Sequence, residues 1–407
     1  EETYQLVAPF FNCLDLGEIG GAGQAKSVHI YQVRGPREDA DRAGGVGGLQ
    51  SPMVGRDVEL QTLLQLTEAV AAGLGRAVLI AGESGLGKKR LVAEWRKAVT
   101  QTAGQPALHW AEGRCLSYSQ GMAYHLLRDL LRAVLGVSAT AGEPETRAAL
   151  RALTADLFGD AALDVYPFLG HLLSLDLEEE ALLRIQALDP PALQARHVAA
   201  CKRLLLMLAA RSPLVLLLED LQWADPSSTA ILNHLLPLAA TTPILFCLVT
   251  RPHRDTPGWK LVTASRETLG GRFTELRLST LPDTDGRQII SHLLHIDALP
   301  KNVERLILEK AEGNPLFIEE VLRMMIDQGA IERRNGGWSV GRAFGTVGIP
   351  DNLQGLLLAR LDRLPEAAKQ TLRVAAVIGR QFPIRVLERV LTNGQGGMAF
   401  INELGDL

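Results

Sequence analysis

Gly82, Gly85, Gly87 and Lys88 carry the first chemistry legible in this chain. They stand in the string GESGLGKKR, Gly82 to Arg90, where a glycine, four residues and a Gly-Lys pair give the spacing of a phosphate-binding loop. Glycine tolerates positive φ and close approach, so successive N–H groups can point at a polyphosphate. A helix opening at Gly87 would add its unpaired N–H groups and the positive end of its dipole. Lys88 would reach the β- and γ-phosphates. The candidate binding set is therefore Gly82, Glu83, Ser84, Gly85, Leu86, Gly87, Lys88, Lys89 and Arg90. After the lysine the pattern expects a Ser or Thr hydroxyl for Mg²⁺, and here it is Lys89. ATP is the expected ligand, with Mg²⁺ dependence weakened and turnover slow.

The second signal is LVLLLEDLQWADP, Leu214 to Pro226. A continuous apolar run reads as a strand buried on both faces, delivering Glu219 and Asp220 at its carboxyl end, where ligands of open α/β sheets bind. Adjacent carboxylates on a strand point to opposite faces. Glu219 is placed on the metal side and Asp220 beside the attacking water; the two roles can be exchanged. A bland acidic strand end is the competing reading. The third signal is Arg251, directly after the apolar run Ile244–Val249; a guanidinium there can pair with a γ-phosphate. The fourth is GNPLFIEE from Gly313, a helix stop followed by Pro315 in the first turn of the next helix.

The elements that must hold these residues follow from pattern. A helix is expected over Asp57–Ala72, then strands at Ala77–Ala81, Ala107–Ala111, Leu214–Leu218, Ile244–Val249 and Phe273–Leu278. Residues 120–211 read as mostly helical, broken at Gly142–Pro144 and Asp189–Pro191, and a helix near Pro226 has Asp225 as its candidate cap. Strands alternating with helices predict an α/β fold with a parallel sheet and helices on both faces. From Asp283 three helical segments follow without clear strands to about Gln328. Interval 333–348 is polar and Gly-rich, and helices resume at Asp351. Before the sheet, strand-like pieces at Tyr4–Ala8 and Ser27–Val33 precede a charged, Gly-rich linker over 35–50.

The chain has 407 residues, enough for two or three domains, with 47% hydrophobic and 22% charged residues. A net charge of −4 and an aromatic content of 5% argue against a nucleic-acid-coating surface. Four scattered cysteines, Cys13, Cys115, Cys201 and Cys247, lack metal-ligand spacing and read as reduced thiols of a cytoplasmic protein. No stretch reaches membrane-span length. The start, EETYQLVAPFF, lacks a basic leader, and the chain reads as a piece of a longer polypeptide.

Taken in order, MVGRDVEL, GESGLGKKR, LLLEDLQWADPSS, LVTRP, AEGNPLFIEEV and IPDNLQGLLLARLDRLPEAAKQTLRVAAVIGRQF resemble the STAND class of P-loop signal-transduction ATPases, over about residues 52–390. More narrowly the chain is similar to the predicted AAA-type ATPase module fused to class III adenylate/guanylate cyclases. The resemblance implies that Val54, Gly55 and Arg56 lie beside the adenine, that Glu219 and Asp220 form the acidic pair at the metal and water, that Arg251 senses the γ-phosphate, and that Pro315 in a helical lid closes over the base. It implies a nucleotide-binding domain at 51–280, a lid at 281–348 and the start of a winged-helix domain at 349–407. Residues 1–34 are similar to the last strands of a cyclase domain without its metal-binding aspartates. ATP or ADP, the remaining domains of the polypeptide and a homo-oligomer are the implied partners, and neither membrane nor nucleic acid is. Three rivals stay open: a sensor that holds ATP without hydrolysing it, the ATPase module of a DNA-binding regulator, and a ring-forming ATPase.

Overall fold

The computed structural model describes residues 11–19, 28–36, 51–101, 108–138, 141–294, 299–334, 337–341, 348–350, 353–362, 364, 366–379, 382 and 384–391. In chain order the principal elements are β1 (Phe11–Ile19), β2 (Val28–Pro36), α1 (Asp57–Ala71), β3 (Arg76–Ala81), α2 (Lys88–Gln101), β4 (His109–Arg114), α3 (His125–Val134), α4 (Glu143–Phe158), α5 (Tyr166–Leu172), α6 (Glu179–Gln186), α7 (Pro190–Arg211), β5 (Leu214–Glu219), α8 (Pro226–Leu235), β6 (Ile244–Thr250), α9 (Pro257–Leu269) and β7 (Phe273–Arg277). After these come α10 (Asp283–Leu294), α11 (Lys301–Ala311), α12 (Pro315–Asp327), β8 (Ile331–Arg334), β9 (Gly337–Val340), α13 (Leu353–Asp362), α14 (Glu366–Ile378) and α15 (Ile384–Leu391). The chain divides into two compact units, residues 1–55 with 281–357 and residues 56–280 with 358–407.

The larger unit is built on a five-stranded sheet of order β4-β5-β6-β3-β7, with every pair parallel. All of β5 and β6 is buried, as their unbroken apolar sequences require of strands covered on both faces. Leu79, Leu216, Phe246 and Leu248 of the sheet share one core with Leu126, Leu204 and Ile231 of the helices. β3, first of these strands in sequence, lies between the two that come last, β6 and β7. The chain leaving β3 must therefore pass β6 and β5 to reach β4 at the edge. Such a reversal opens a crevice beyond the strand ends. Trp95 of α2 is fully buried, and its Nε1–H donates to Thr67 Oγ1 of α1 at 2.8 Å, which fixes the helix behind the phosphate loop.

Caps end the helices where the sequence places them. Asp189 accepts from the N–H of Ala192 at the start of α7, and Thr256 from that of Trp259 at the start of α9. Asp225 does more than cap α8. Its Oδ1 accepts the N–H of Ser228 at 2.8 Å and that of Tyr124 at 2.9 Å, while Oδ2 takes the N–H of Leu126 at 3.3 Å. One carboxylate thus satisfies the otherwise unpaired amides of two helices, α3 and α8.

In the smaller unit, α10, α11 and α12 pack around Ile290, Val303, Ile307, Phe317, Ile318 and Val321. Two features differ from the sequence reading. Strands β8 and β9 pair antiparallel, most of their length falling in the interval 333–348 that the sequence reading gives only as polar and Gly-rich. Strands this short carry too few residues for alternation to register. Strand β1 spans Phe11–Ile19 and pairs antiparallel with β2, although its sequence was not read as a strand. Two register shifts interrupt that pairing and break the period of two. The expected strand at Tyr4–Ala8 and nearly all of the linker at 35–50 lie outside the described residues. Among the described residues no helix is long and apolar enough to cross a membrane.

Candidate functional site

The phosphate loop leaves β3 at the carboxyl edge of the sheet. Its first N–H, that of Gly82, donates to Thr250 O at the end of β6. Gly82 sits close against the next segment: an added Cβ would meet Leu278 Cβ and O at 3.1 Å. Gly85 and Gly87 both hold positive φ, 85° and 90°, the left-handed backbone that resists an L side chain. Open space surrounds a Cβ built on Gly87. Lys88 lies across the loop and donates to Gly82 O at 2.6 Å and Glu83 O at 2.8 Å. Burial, with the Arg251 guanidinium second, lowers the Lys88 pKa to about 8. Arg251 directly follows β6, the strand whose last carbonyl receives the Gly82 N–H. A cradle of amides with a lysine laid through it fits a polyphosphate.

The two strand-end acids have protein cations as partners. Glu219, 3% exposed, accepts from Arg114 Nε at 2.8 Å, with the second guanidinium nitrogen 2.7 Å away. Arg114 ends the neighbouring strand β4 and also reaches Glu112 at 2.9 Å. Burial still pushes the Glu219 carboxyl above its ordinary range, against the pull of Arg114. Asp220 leaves the sheet in left-handed backbone, φ 56° and ψ 37°. Its Oδ2 lies 3.2 Å from Lys89 Nζ, and its Oδ1 accepts from Gln222 Nε2 at 3.3 Å.

Sequence reasoning gave no role to Arg114 or Gln222. Gln222, 1% exposed, accepts through Oε1 from the Arg251 N–H at 3.2 Å and from Thr250 Oγ1 at 3.4 Å, and so joins the ends of β5 and β6. Its signal was its place inside EDLQWADP. Arg114 had no local signal, because only the register Arg114↔Glu219 brings it to the acid.

Lys88, Lys89, Glu219, Asp220 and Arg251 are all in the larger unit, as is Arg56. Arg56 is 6% exposed, donates to Glu59 at 3.2 Å and to Ser279 O, and leaves its Nε without a partner. Val54, Gly55 and Pro315 belong to the smaller unit. There Gly55 has φ 67° and no room for a Cβ, which would fall 2.0 Å from Asp285 Oδ2. Pro315 opens α12 behind Asn314, whose side chain caps the N–H groups of Leu316 and Phe317.

The residues present fit Mg²⁺ poorly. An octahedral ion needs oxygen ligands, yet the position that would supply a hydroxyl holds an ammonium, itself seated on Asp220. Among the described residues no group of three or more His, Cys, Asp or Glu could hold a metal ion.

Residues 52–248 match the sequence profile described as the AAA ATPase domain, and residues 282–338 that of a domain of unknown function. Sheet and loop together define the class, an α/β P-loop NTPase-like fold with a helical carboxyl-terminal part, and the profile match makes the sheet-bearing region similar to AAA ATPase domains. Over 415 aligned residues the chain is 27% identical to uncharacterized protein R02095 of Rhizobium meliloti (strain 1021), covering 98% of this chain and 37% of that protein. It therefore spans little more than a third of that relative's length. Among solved structures, the Aeropyrum pernix ORC2 protein in its ADP form is 14% identical, with 88% of this chain and 87% of that one covered and a TM-score of 0.42. The Aeropyrum pernix ORC1 protein in complex with DNA is 13% identical, with coverages of 89% and 84% and a TM-score of 0.41. Drosophila ORC bound to DNA is 12% identical, with coverages of 68% and 56% and a TM-score of 0.41.

Proposed function

We propose that this chain is the ATP-binding switch module of a multidomain cytoplasmic signalling protein, one in which a class III nucleotide cyclase is fused to a STAND-type ATPase. The observation that carries the reading is the phosphate loop with Lys88 laid through it, at a sheet edge that also presents Arg251. On this reading the loop amides and Lys88 hold the β- and γ-phosphates, and Arg251 answers to the γ-phosphate. Residues 51–280 are the nucleotide-binding domain, 281–348 the helical lid, 349–407 the start of a winged-helix domain and 1–34 the end of a cyclase domain. ATP and ADP are the ligands, and the output passes to the other domains of the polypeptide.

Hydrolysis on this reading is slow. Asp220 is the candidate for holding the attacking water, but its carboxylate is shared with Lys89 and Gln222. Glu219 is held by Arg114. The same pairings favour a second reading, a sensor that binds ATP and never turns it over. Calorimetry with ATP and ADP, beside single-turnover hydrolysis, tests both. Binding with measurable but slow turnover is expected; no cleavage over many hours selects the sensor, and no binding by the native chain ends the proposal.

A further inference from the structure

Both acids at the end of β5 are matched by cations that the protein supplies: Glu219 by Arg114, and Asp220 by Lys89 at 3.2 Å. Lys89 follows Lys88 at the start of α2, so its Cα is fixed where the loop would otherwise present a hydroxyl to a metal. Its ammonium has three donors and no acceptor. One donor directed at Asp220 leaves two for phosphate oxygens. A bridge between a strand-end carboxylate and the phosphates is the place of the divalent cation in loops of this kind. A second cation entering beside the ammonium would meet its charge and would find both carboxylates engaged.

We infer that Lys89 is the resident cation of this site, and that the site takes the free nucleotide anion, a nucleoside di- or triphosphate without a metal. The inference rests on the nucleotide-binding reading above and specifies its ligand. The pair is not rigidly buried, since the side chains of Lys89 and Asp220 are 48% and 22% exposed. Its worth lies in placing charge rather than in fold stability. A consequence follows for selectivity. Mg²⁺ binds a triphosphate more tightly than a diphosphate because the triphosphate carries more charge. Added Mg²⁺ therefore withdraws free ATP more than free ADP, and shifts this site towards ADP.

The experiment is a titration of the full chain with ATP and with ADP, in EDTA and in excess Mg²⁺, for the native protein, Lys89→Ser, Lys89→Gln and Lys88→Ala. Native protein is expected to bind both nucleotides in EDTA, and to lose about tenfold or more in apparent ATP affinity when Mg²⁺ is added, with a smaller loss for ADP. Lys89→Ser reverses the sign, weak in EDTA and tighter with Mg²⁺. Lys89→Gln, uncharged and without a small hydroxyl, weakens in EDTA and gains little from Mg²⁺. Circular dichroism confirms that the exposed substitutions leave the fold intact. If native affinity for ATP rises with Mg²⁺, or Lys89→Ser behaves as native, Lys89 is not the cation and the inference is overturned. Failure of the nucleotide reading looks different: no binding by the native chain in either condition, or Lys88→Ala binding as well as native in both.

Discussion

Gln222 Oε1 accepts the backbone N–H of Arg251 at 3.2 Å, while the Nε2 of the same side chain donates to Asp220 Oδ1 at 3.3 Å. A single buried amide therefore ties the acid at the end of β5 to the arginine at the end of β6. Removing it takes away the acceptor of the Arg251 N–H and the Thr250 hydroxyl. Gln222→Ala is expected to cost about 1–3 kcal/mol of stability. It should also narrow any difference between ATP and ADP affinity, because Arg251 loses its anchor. Thermal unfolding and paired nucleotide titrations read the two effects.

Lys88 supplies a prediction in pH. Its pKa in the free protein stands at about 8 rather than 10.5, chiefly through burial. The ammonium is the form that grips phosphate. Below pH 8 it is already present, so affinity is flat there. Above pH 8 the free protein must take up a proton to bind, and affinity should fall by up to about tenfold per pH unit until the bound-state pKa is reached. Lys88→Ala should lose about 10- to 150-fold in affinity at neutral pH and show no such slope. A native profile that is flat from pH 7 to 10 contradicts the assignment.

His197 gives a stability test away from the loop. The ring is 1% exposed, stacks on His171 at 5.1 Å between centroids, and neither nitrogen has a hydrogen-bond partner. Burial, then His171, lowers its pKa to about 4. A depressed histidine pKa means that the unfolded chain binds the proton first. Stability should therefore decline as pH falls from about 6.5 towards 4, by about 3 kcal/mol at most from this group. His197→Phe should flatten that part of the profile. Urea unfolding across pH 4–7.5 measures it.

Asp225→Ala removes three backbone partners at once, the N–H groups of Ser228, Tyr124 and Leu126. Loss of one cap costs about 0.5–2 kcal/mol, and here two helix starts lose theirs. The melting temperature should fall by more than for Thr256→Ala, which uncaps only α9. Equal shifts would mean that the bonds to α3 contribute nothing.

What the sequence discloses here depends on distance along the chain. The phosphate loop, the buried strands β3, β5 and β6 and the cap at Asp225 are local patterns, and all stand within a residue or two of expectation. Arg114 and Glu219 are 105 residues apart, and nothing in either neighbourhood announces the other. The same holds for Lys89 and Asp220. In sequence each belongs to its own motif, Lys89 to the phosphate loop and Asp220 to a strand end. Only the fold reveals that the first answers the second. The sequence reading divides these acids between metal and water, and in the structure each also lies beside a cation of the protein.

The placing of β3 between β6 and β7 sets a timetable for synthesis. Ala77 pairs with Phe246 on one side and Phe273 on the other, so the earliest strand of the sheet waits for about 170 residues before either neighbour exists. At about 5–20 residues per second, that is roughly 10–35 s during which the apolar run Ala77–Ala81 has left the ribosome with neither edge paired. The helices made in the meantime can cover its faces but cannot bond its edges. Folding of the nucleotide site thus hinges on the late arrival of β6, which brings Arg251 and the acceptor for Gly82 in the same stroke.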